Sequence, residues 1–171
     1  APGVKTLAQA PALMDGCLAG AAVLTVNADK FIANPALAEE VFGPSTLIIR
    51  CRDLDQMRAV AGAITGQLTA TLHGTEEELA AAGDLLAALE CFAGRVVCNG
   101  FPTGVEVCHA MVHGGPYPSS SDVRTTSVGT RAALRFMRPV CFQGMPDALL
   151  PDELKESNPL GIPRLVDGVW R

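Results

Sequence analysis

Several things this sequence lacks narrow it before anything present is weighed. It has no Cys-x-x-Cys, which removes zinc ribbons and dithiol redox motifs. It has neither G-x-x-x-x-G-K-[ST] nor G-x-G-x-x-G, so neither common phosphate-cradling loop is present. No G-x-S-x-G elbow occurs, which removes the usual esterase nucleophile. Positive charge is short: 13 Lys and Arg stand against 18 Asp and Glu, a net charge of −5. A chain of that sign does not wrap a phosphate backbone, and no nucleic-acid partner is expected. No apolar run reaches the roughly eighteen residues that a bilayer span needs. The opening residues lack the charged-then-apolar layout of a secretory signal. No membrane partner is expected, and a cytoplasmic location is.

Much of what is present is apolar. Apolar residues make up 49% of the 171, enough for a real core with some apolar surface left over for another domain or subunit. The six cysteines are Cys17, Cys51, Cys91, Cys98, Cys108 and Cys141. Their wide spacing and apolar neighbours read as buried free thiols rather than disulfides.

Along the chain, residues 1–20 are weakly patterned, a helix with a loop or a frayed end. Residues 21–26 (AAVLTV) form a strand-length apolar run. Asn34-Pro35 opens a turn, residues 36–41 read as one or two helical turns, and Gly43-Pro44 ends them. Residues 45–51 (STLIIRC) read as a buried strand. Asp53 then caps a helix with Gln56 three residues on. Leu54, Met57, Ala61 and Ile64 form its stripe, and Gly66 ends it. Residues 68–72 are a strand. Thr75 and Glu78 form a second capping pattern, followed by a stripe of Leu79, Ala82, Leu86 and Leu89 and a stop at Gly94. Residues 95–98 (RVVC) are a further strand. This alternation predicts an α/β fold with a mainly parallel sheet and crossover helices.

Residues 99–121 are rich in Gly and Pro, without periodicity, yet hold Phe101, Val105, Met111 and Tyr117. Long loops of that kind in a folded domain are usually functional. A helix over 130–137 and a short strand over 139–143 follow, and the tail from Gly144 reads as an extended wrap. Within the loop, His113-Gly114-Gly115-Pro116 resembles an esterase oxyanion loop but has no nucleophile elbow to serve. His73 and His109 are lone histidines, better read as structural. Glu39-Glu40-Val41-Phe42-Gly43-Pro44 sets a carboxylate and a ring at a strand entrance. A carboxylate accepts hydrogen bonds from two ribose hydroxyls, and a ring packs on a flat heterocycle.

That stretch, with the strand after it, resembles the segment of aldehyde dehydrogenases that meets the nicotinamide end of the coenzyme. Residues 94–143, with FPTGVEV and HGGPYPSS, resemble the subgroup acting on α-ketoglutaric semialdehyde (2,5-dioxovalerate). The resemblance covers roughly residues 27–168. It implies an NAD- or NADP-dependent oxidation of a small aldehyde to 2-oxoglutarate, in which a cysteine thiolate forms a thioester that a glutamate-activated water hydrolyses. By the resemblance, Glu40 holds the nicotinamide ribose and Phe42 packs beside the nicotinamide. Phe101, Thr103, Gly104 and Val105 form one wall of the aldehyde entrance, and His113 borders it. Residues 1–138 correspond to the C-terminal part of the catalytic domain. Residues 139–171 correspond to an oligomerisation-type strand, 139–143, and a tail, so a homo-oligomer is expected. Arg124 or Arg131 supplies a cation for the substrate carboxylate.

The departures are equally specific. Cys17 is the only cysteine before Glu40, and its Asp-Gly-Cys-Leu setting is not the family's nucleophile context. No catalytic residue and no dinucleotide-binding half are recognisable, so the chain alone is expected to be inactive. One rival is a stand-alone, non-enzymatic assembly module. Another, weaker, is a small hydrolase using His113.

Overall fold

Strand and helix alternate from residue 22 to residue 98, as the apolar pattern predicts. The computed structural model describes residues 1–11 and 18–171. It divides into two units, Ala1–Phe136 and Met137–Arg171.

In the first unit, β1 (Lys5–Gln9), β2 (Ala22–Asn27) and β3 (Ser45–Arg50) form one sheet in that order. β1 runs antiparallel to β2, and β3 runs parallel to it. The connection from β2 to β3 carries helix α1 (Ala28–Ile32) and a 3-10 turn, Pro35–Ala38. β4 (Gln67–Leu72) and β5 (Ala93–Cys98) form a second, parallel pair, joined through α3 (Glu76–Ala81) and α4 (Gly83–Glu90). Both parallel pairs therefore carry the expected crossover helices. β3 and β4, though consecutive, are not hydrogen-bonded to each other. The mainly parallel single sheet is thus corrected to short separate sheets, one of them mixed. The antiparallel β1 comes from a stretch whose polar residues and glycines showed no period.

Helix α2 (Leu54–Gly62) joins the two sheets. Val60 packs with Val26, Ala28 and Phe31 in one core cluster. Its neighbour Ala61 packs with Ala82, Leu85 and Leu89 in the other. The helix thus buries two adjacent positions against different layers. Asp53 caps it, its carboxylate accepting from the Gln56 N–H at 2.8 Å. The expected stripe is rotated: Leu54 and Met57 are 40% and 42% exposed, whereas Gln56 is buried. Gln56 tolerates burial because its amide is used at both ends. Its Oε1 accepts from the Arg52 N–H at 3.0 Å, and its Nε2 donates to Asp29 at 2.8 Å.

The Thr75–Glu78 capping box forms as expected, with Thr75 N–H donating to Glu78 at 2.8 Å and Glu78 N–H to Thr75 at 3.2 Å. The single helix expected after it is broken at Ala82. Its buried face is Ala82, Leu85 and Leu89, with Leu86 exposed. Gly94 does not stop this helix but lies inside β5. Residues 130–136 form a 3-10 helix (Thr130–Phe136) in place of the α-helix.

The second unit holds a 3-10 turn, Asp147–Leu149, and a hairpin of β6 (Leu165–Val166) with β7 (Val169–Trp170). Asp167 and Gly168 turn it at φ 50° and 79°, the left-handed pair that a tight two-residue hairpin needs. The tail is therefore regular only at these two points. Residues 139–143 form no strand: a strand exists through its ladder partner, and none of the described residues pairs with them.

The described cysteines are free, but the expected burial is not found: Cys91, Cys98 and Cys141 are exposed, and Cys51 and Cys108 half-buried. Burial raises the Cys51 thiol above its ordinary value, with Asp53 adding to the rise. Cys17 lies outside the described residues. No helix among the described residues is long and apolar enough to cross a membrane.

The surface is large for the mass. The chain exposes 12706 Å². Two separate compact bodies of these sizes would expose roughly 9000 Å² between them. The excess includes apolar side chains such as Phe42 at 96% and Phe136 at 85%.

Replacing Thr75 by Ala is expected to cost about 1 kcal/mol, read as a lower urea midpoint. Hydrogen bonds from Thr75 hold the Glu78 carboxyl below its ordinary value. A depressed folded value means the cap contributes above the unfolded value and is lost as pH falls through the folded one. The stability gap between wild type and Glu78→Ala, read by urea unfolding, should therefore narrow in acid.

Candidate functional site

The site is built where residues 113–119 lie across the starts of β4 and β5. This contact depends on glycine. A Cβ at Gly94 would fall on the carbonyl of Gly114, and one at Gly66 on the carbonyls of Pro116 and Tyr117. A Cβ at Gly115 would lie 2.7 Å from the Ser119 Oγ and 3.1 Å from the Gly94 nitrogen. His113 is clamped through its backbone. Its N–H donates to the Thr126 hydroxyl at 2.8 Å, and its carbonyl accepts from Ser127 N–H at 3.0 Å and Ser127 Oγ at 2.9 Å. Its Nδ1 is buried with no hydrogen-bond partner among the described residues.

Two clefts take in the expected site residues, and the second of them borders this region. One, of about 640 Å³, is lined by Glu39, Glu40, Val41 and Phe42 together with β2 and β3 residues Leu24 and Leu47. The other, of about 1010 Å³, is lined by Glu39, Glu40, residues 65–69, Pro102, His113 and Ser119. The structure thus sets Glu40 and Phe42 on one cleft, and Glu40, His113 and Pro102 on the other. The Glu40 and Phe42 side chains are exposed.

Phe101, Thr103, Gly104 and Val105 line neither cleft; all four are exposed, and Phe101 packs on His73 with ring centroids 5.6 Å apart. Their loop is anchored at its start. Asn99, at φ 49°, accepts from the Gly74 N–H and donates to the Gly74 carbonyl, each at 2.9 Å. Arg95 on β5 donates to the carbonyls of Pro102 at 2.8 Å and Gly104 at 2.9 Å. Neither anchor was read from the sequence. The available signals were the left-handed tendency of Asn-Gly and a guanidinium inside an otherwise apolar strand run.

Of the two candidate cations, Arg124 is committed to Asp122, with Nε at 3.0 Å and Nη2 at 3.2 Å from its two carboxylate oxygens. The Arg124 side chain and N–H hold the Asp122 carboxyl below its ordinary value, so the pair persists into acid. Arg131 is exposed. The hydroxyls beside His113 are also committed: Ser119 donates to Pro116 at 2.7 Å and Ser120 to Asp122 at 2.9 Å. Neither hydroxyl hydrogen is aimed at an imidazole, which argues against a serine hydrolase centred on His113. No metal-holding group of His, Cys, Asp and Glu occurs among the described residues.

Comparison with known proteins bears directly on this arrangement. No protein-family profile matches the chain. α-Ketoglutaric semialdehyde dehydrogenase 2 of Azospirillum brasilense is 54% identical over 167 residues, 98% of this chain and 32% of that protein. The chain belongs to the aldehyde dehydrogenase superfamily. It matches the C-terminal part of its relatives. A second aldehyde dehydrogenase, the α-ketoglutaric semialdehyde dehydrogenase of Acinetobacter baylyi, is 54% identical over 136 residues, 80% of this chain and 26% of that protein. The chain thus spans between about a quarter and a third of the length of these aldehyde dehydrogenases.

Gly94→Ala is expected to destabilise the protein by about 2–3 kcal/mol, because backbone rather than a flexible side chain must move. Urea unfolding would show it. A loss no larger than that of Gly43→Ala, where a Cβ meets open space, would mean that the 113–116 segment yields freely.

Proposed function

We propose that this chain forms the nicotinamide edge and one wall of the aldehyde entrance of an NAD- or NADP-dependent dehydrogenase acting on α-ketoglutaric semialdehyde. The observation that carries the proposal is the convergence of Glu40, His113 and Pro102 on one cleft in a chain 54% identical to proteins bearing that name. The fold that goes with it is the C-terminal part of an aldehyde dehydrogenase catalytic domain. The large apolar surface accords with a chain covered by further protein.

The residues present fit the nicotinamide end of the coenzyme. Glu40 offers an exposed carboxylate at a cleft edge, with acceptor lone pairs suited to vicinal hydroxyls. Phe42 offers an exposed ring face two residues away on the same lip. When bound, the coenzyme supplies the hydride acceptor. Glu40 then fixes the ribose, Phe42 limits the tilt of the ring, and the 101–105 loop with His113 guides the aldehyde and excludes water. The exposure of Arg131 makes it the better remaining cation for the substrate carboxylate. Residues 139–143, unpaired among the described residues, are proposed to ladder onto another subunit.

NAD(P)H absorbance with α-ketoglutaric semialdehyde tests the reading. The 171-residue chain alone should give no signal, and the full-length enzyme a clear rate with one of the coenzymes. A thiol-sensitive rate from the chain alone would place a nucleophile among its own cysteines and overturn the assignment. A full-length protein with no rate on any aldehyde would favour the assembly-module reading. In the active enzyme, Glu40→Gln should lower kcat by about tenfold, the scale of one charge-assisted hydrogen bond lost at the ribose. An unchanged kcat would remove Glu40 from that role.

A further inference from the structure

We infer that Arg95 is the positioning residue that sets the shape of the aldehyde entrance, acting through the carbonyls of Pro102 and Gly104. The inference rests on the reading of residues 101–105 as one wall of that entrance. The loop has little else to hold it. Residues 101–105 lie in no helix or strand, and no backbone–backbone hydrogen bond reaches them among the described residues. Arg95 reaches across from β5 and closes two loop carbonyls with separate nitrogens, Nη2 on Pro102 at 2.8 Å and Nη1 on Gly104 at 2.9 Å. Such a fork holds two points at a fixed separation, which a single ammonium cannot do. The Met111 sulfur packs 3.9 Å from the same Nη1, and the Arg95 Nε is buried without a partner. The guanidinium is therefore held in place by its surroundings rather than drawn out to water.

The consequence is directional. Pro102 also lines the cleft that holds Glu40 and His113, so the strap fixes the loop relative to that cleft. With both loop carbonyls occupied, Phe101, Thr103 and Val105 are left facing outward, all exposed. Arg95 engages a loop carbonyl with each Nη and so acts through the loop. Its effect belongs on aldehyde recognition, not on the coenzyme and not on the chemical step.

The test uses the full-length enzyme and two variants, Arg95→Met, which keeps the stem and removes the fork, and Arg95→Lys, which keeps a charge and one donor point. Arg95→Met should raise KM for α-ketoglutaric semialdehyde by about tenfold, with kcat within about twofold of wild type and the coenzyme KM unchanged. Arg95→Lys should recover part of the loss. If Arg95→Met does not yield folded enzyme, the Arg95→Lys ratio of aldehyde KM to coenzyme KM decides alone. Two results overturn the inference while leaving the function intact: variants with wild-type aldehyde KM, or variants in which both KM values and the thermal midpoint worsen together. A wild-type enzyme that oxidises the semialdehyde with neither coenzyme would instead remove the reading on which the inference rests.

Discussion

Backbone laid directly on backbone is the constraint from which the site follows. Residues 113–116 can lie across the starts of β4 and β5 only because Gly66 and Gly94 present no Cβ. Gly115 adds the reciprocal surface, close to the Gly94 nitrogen and the Ser119 hydroxyl. A side chain at any of these positions would lift His113 away from the strands. The cleft shared by His113, Pro102 and Glu40 would then widen or close. Thr126 and Ser127 complete the clamp by occupying the His113 N–H and carbonyl, so that no polar backbone group there is left to seek another arrangement.

Helix α2 supplies the second constraint. Its neighbours Val60 and Ala61 belong to different core clusters, so one helix fixes the β2–β3 layer against the β4–β5 layer without a hydrogen bond between the sheets. That places Glu40, which precedes β3, opposite residues 65–69, which open β4. The buried Gln56 belongs to the same joint. Its amide ties α2 to Asp29 beside β2 and to the Arg52 backbone, which is why an amide, not the leucine or methionine of the apparent stripe, faces inward.

Part of the site could be read ahead of the fold because its residue types are chemically narrow. The long FPTGVEV and HGGPYPSS stretch is hard to meet by accident, and the 54% identity to semialdehyde dehydrogenases agrees with the resemblance it carried. The capping residues Asp53 and Thr75 were legible because a cap is decided within four residues of sequence. Arg95 and Asn99 were not, because their partners lie across strands or loops. Nor was the rotation of the α2 stripe, because apolar spacing cannot see a buried amide that is satisfied from outside its own helix.

The sequence by itself determined the crossover helices, the caps, and the carboxylate and ring that Glu40 and Phe42 offer at a strand entrance. Each depends on local backbone preference or on residue type, both of which are properties of a short stretch of chain. The tertiary structure alone decided which of these residues meet. It set Glu40 and His113 on one cleft and tied Asn99 to Gly74 ahead of the 101–105 loop. It also left residues 139–143 without a ladder partner among the described residues. Those outcomes follow from packing distances between segments far apart in sequence, which no local pattern contains.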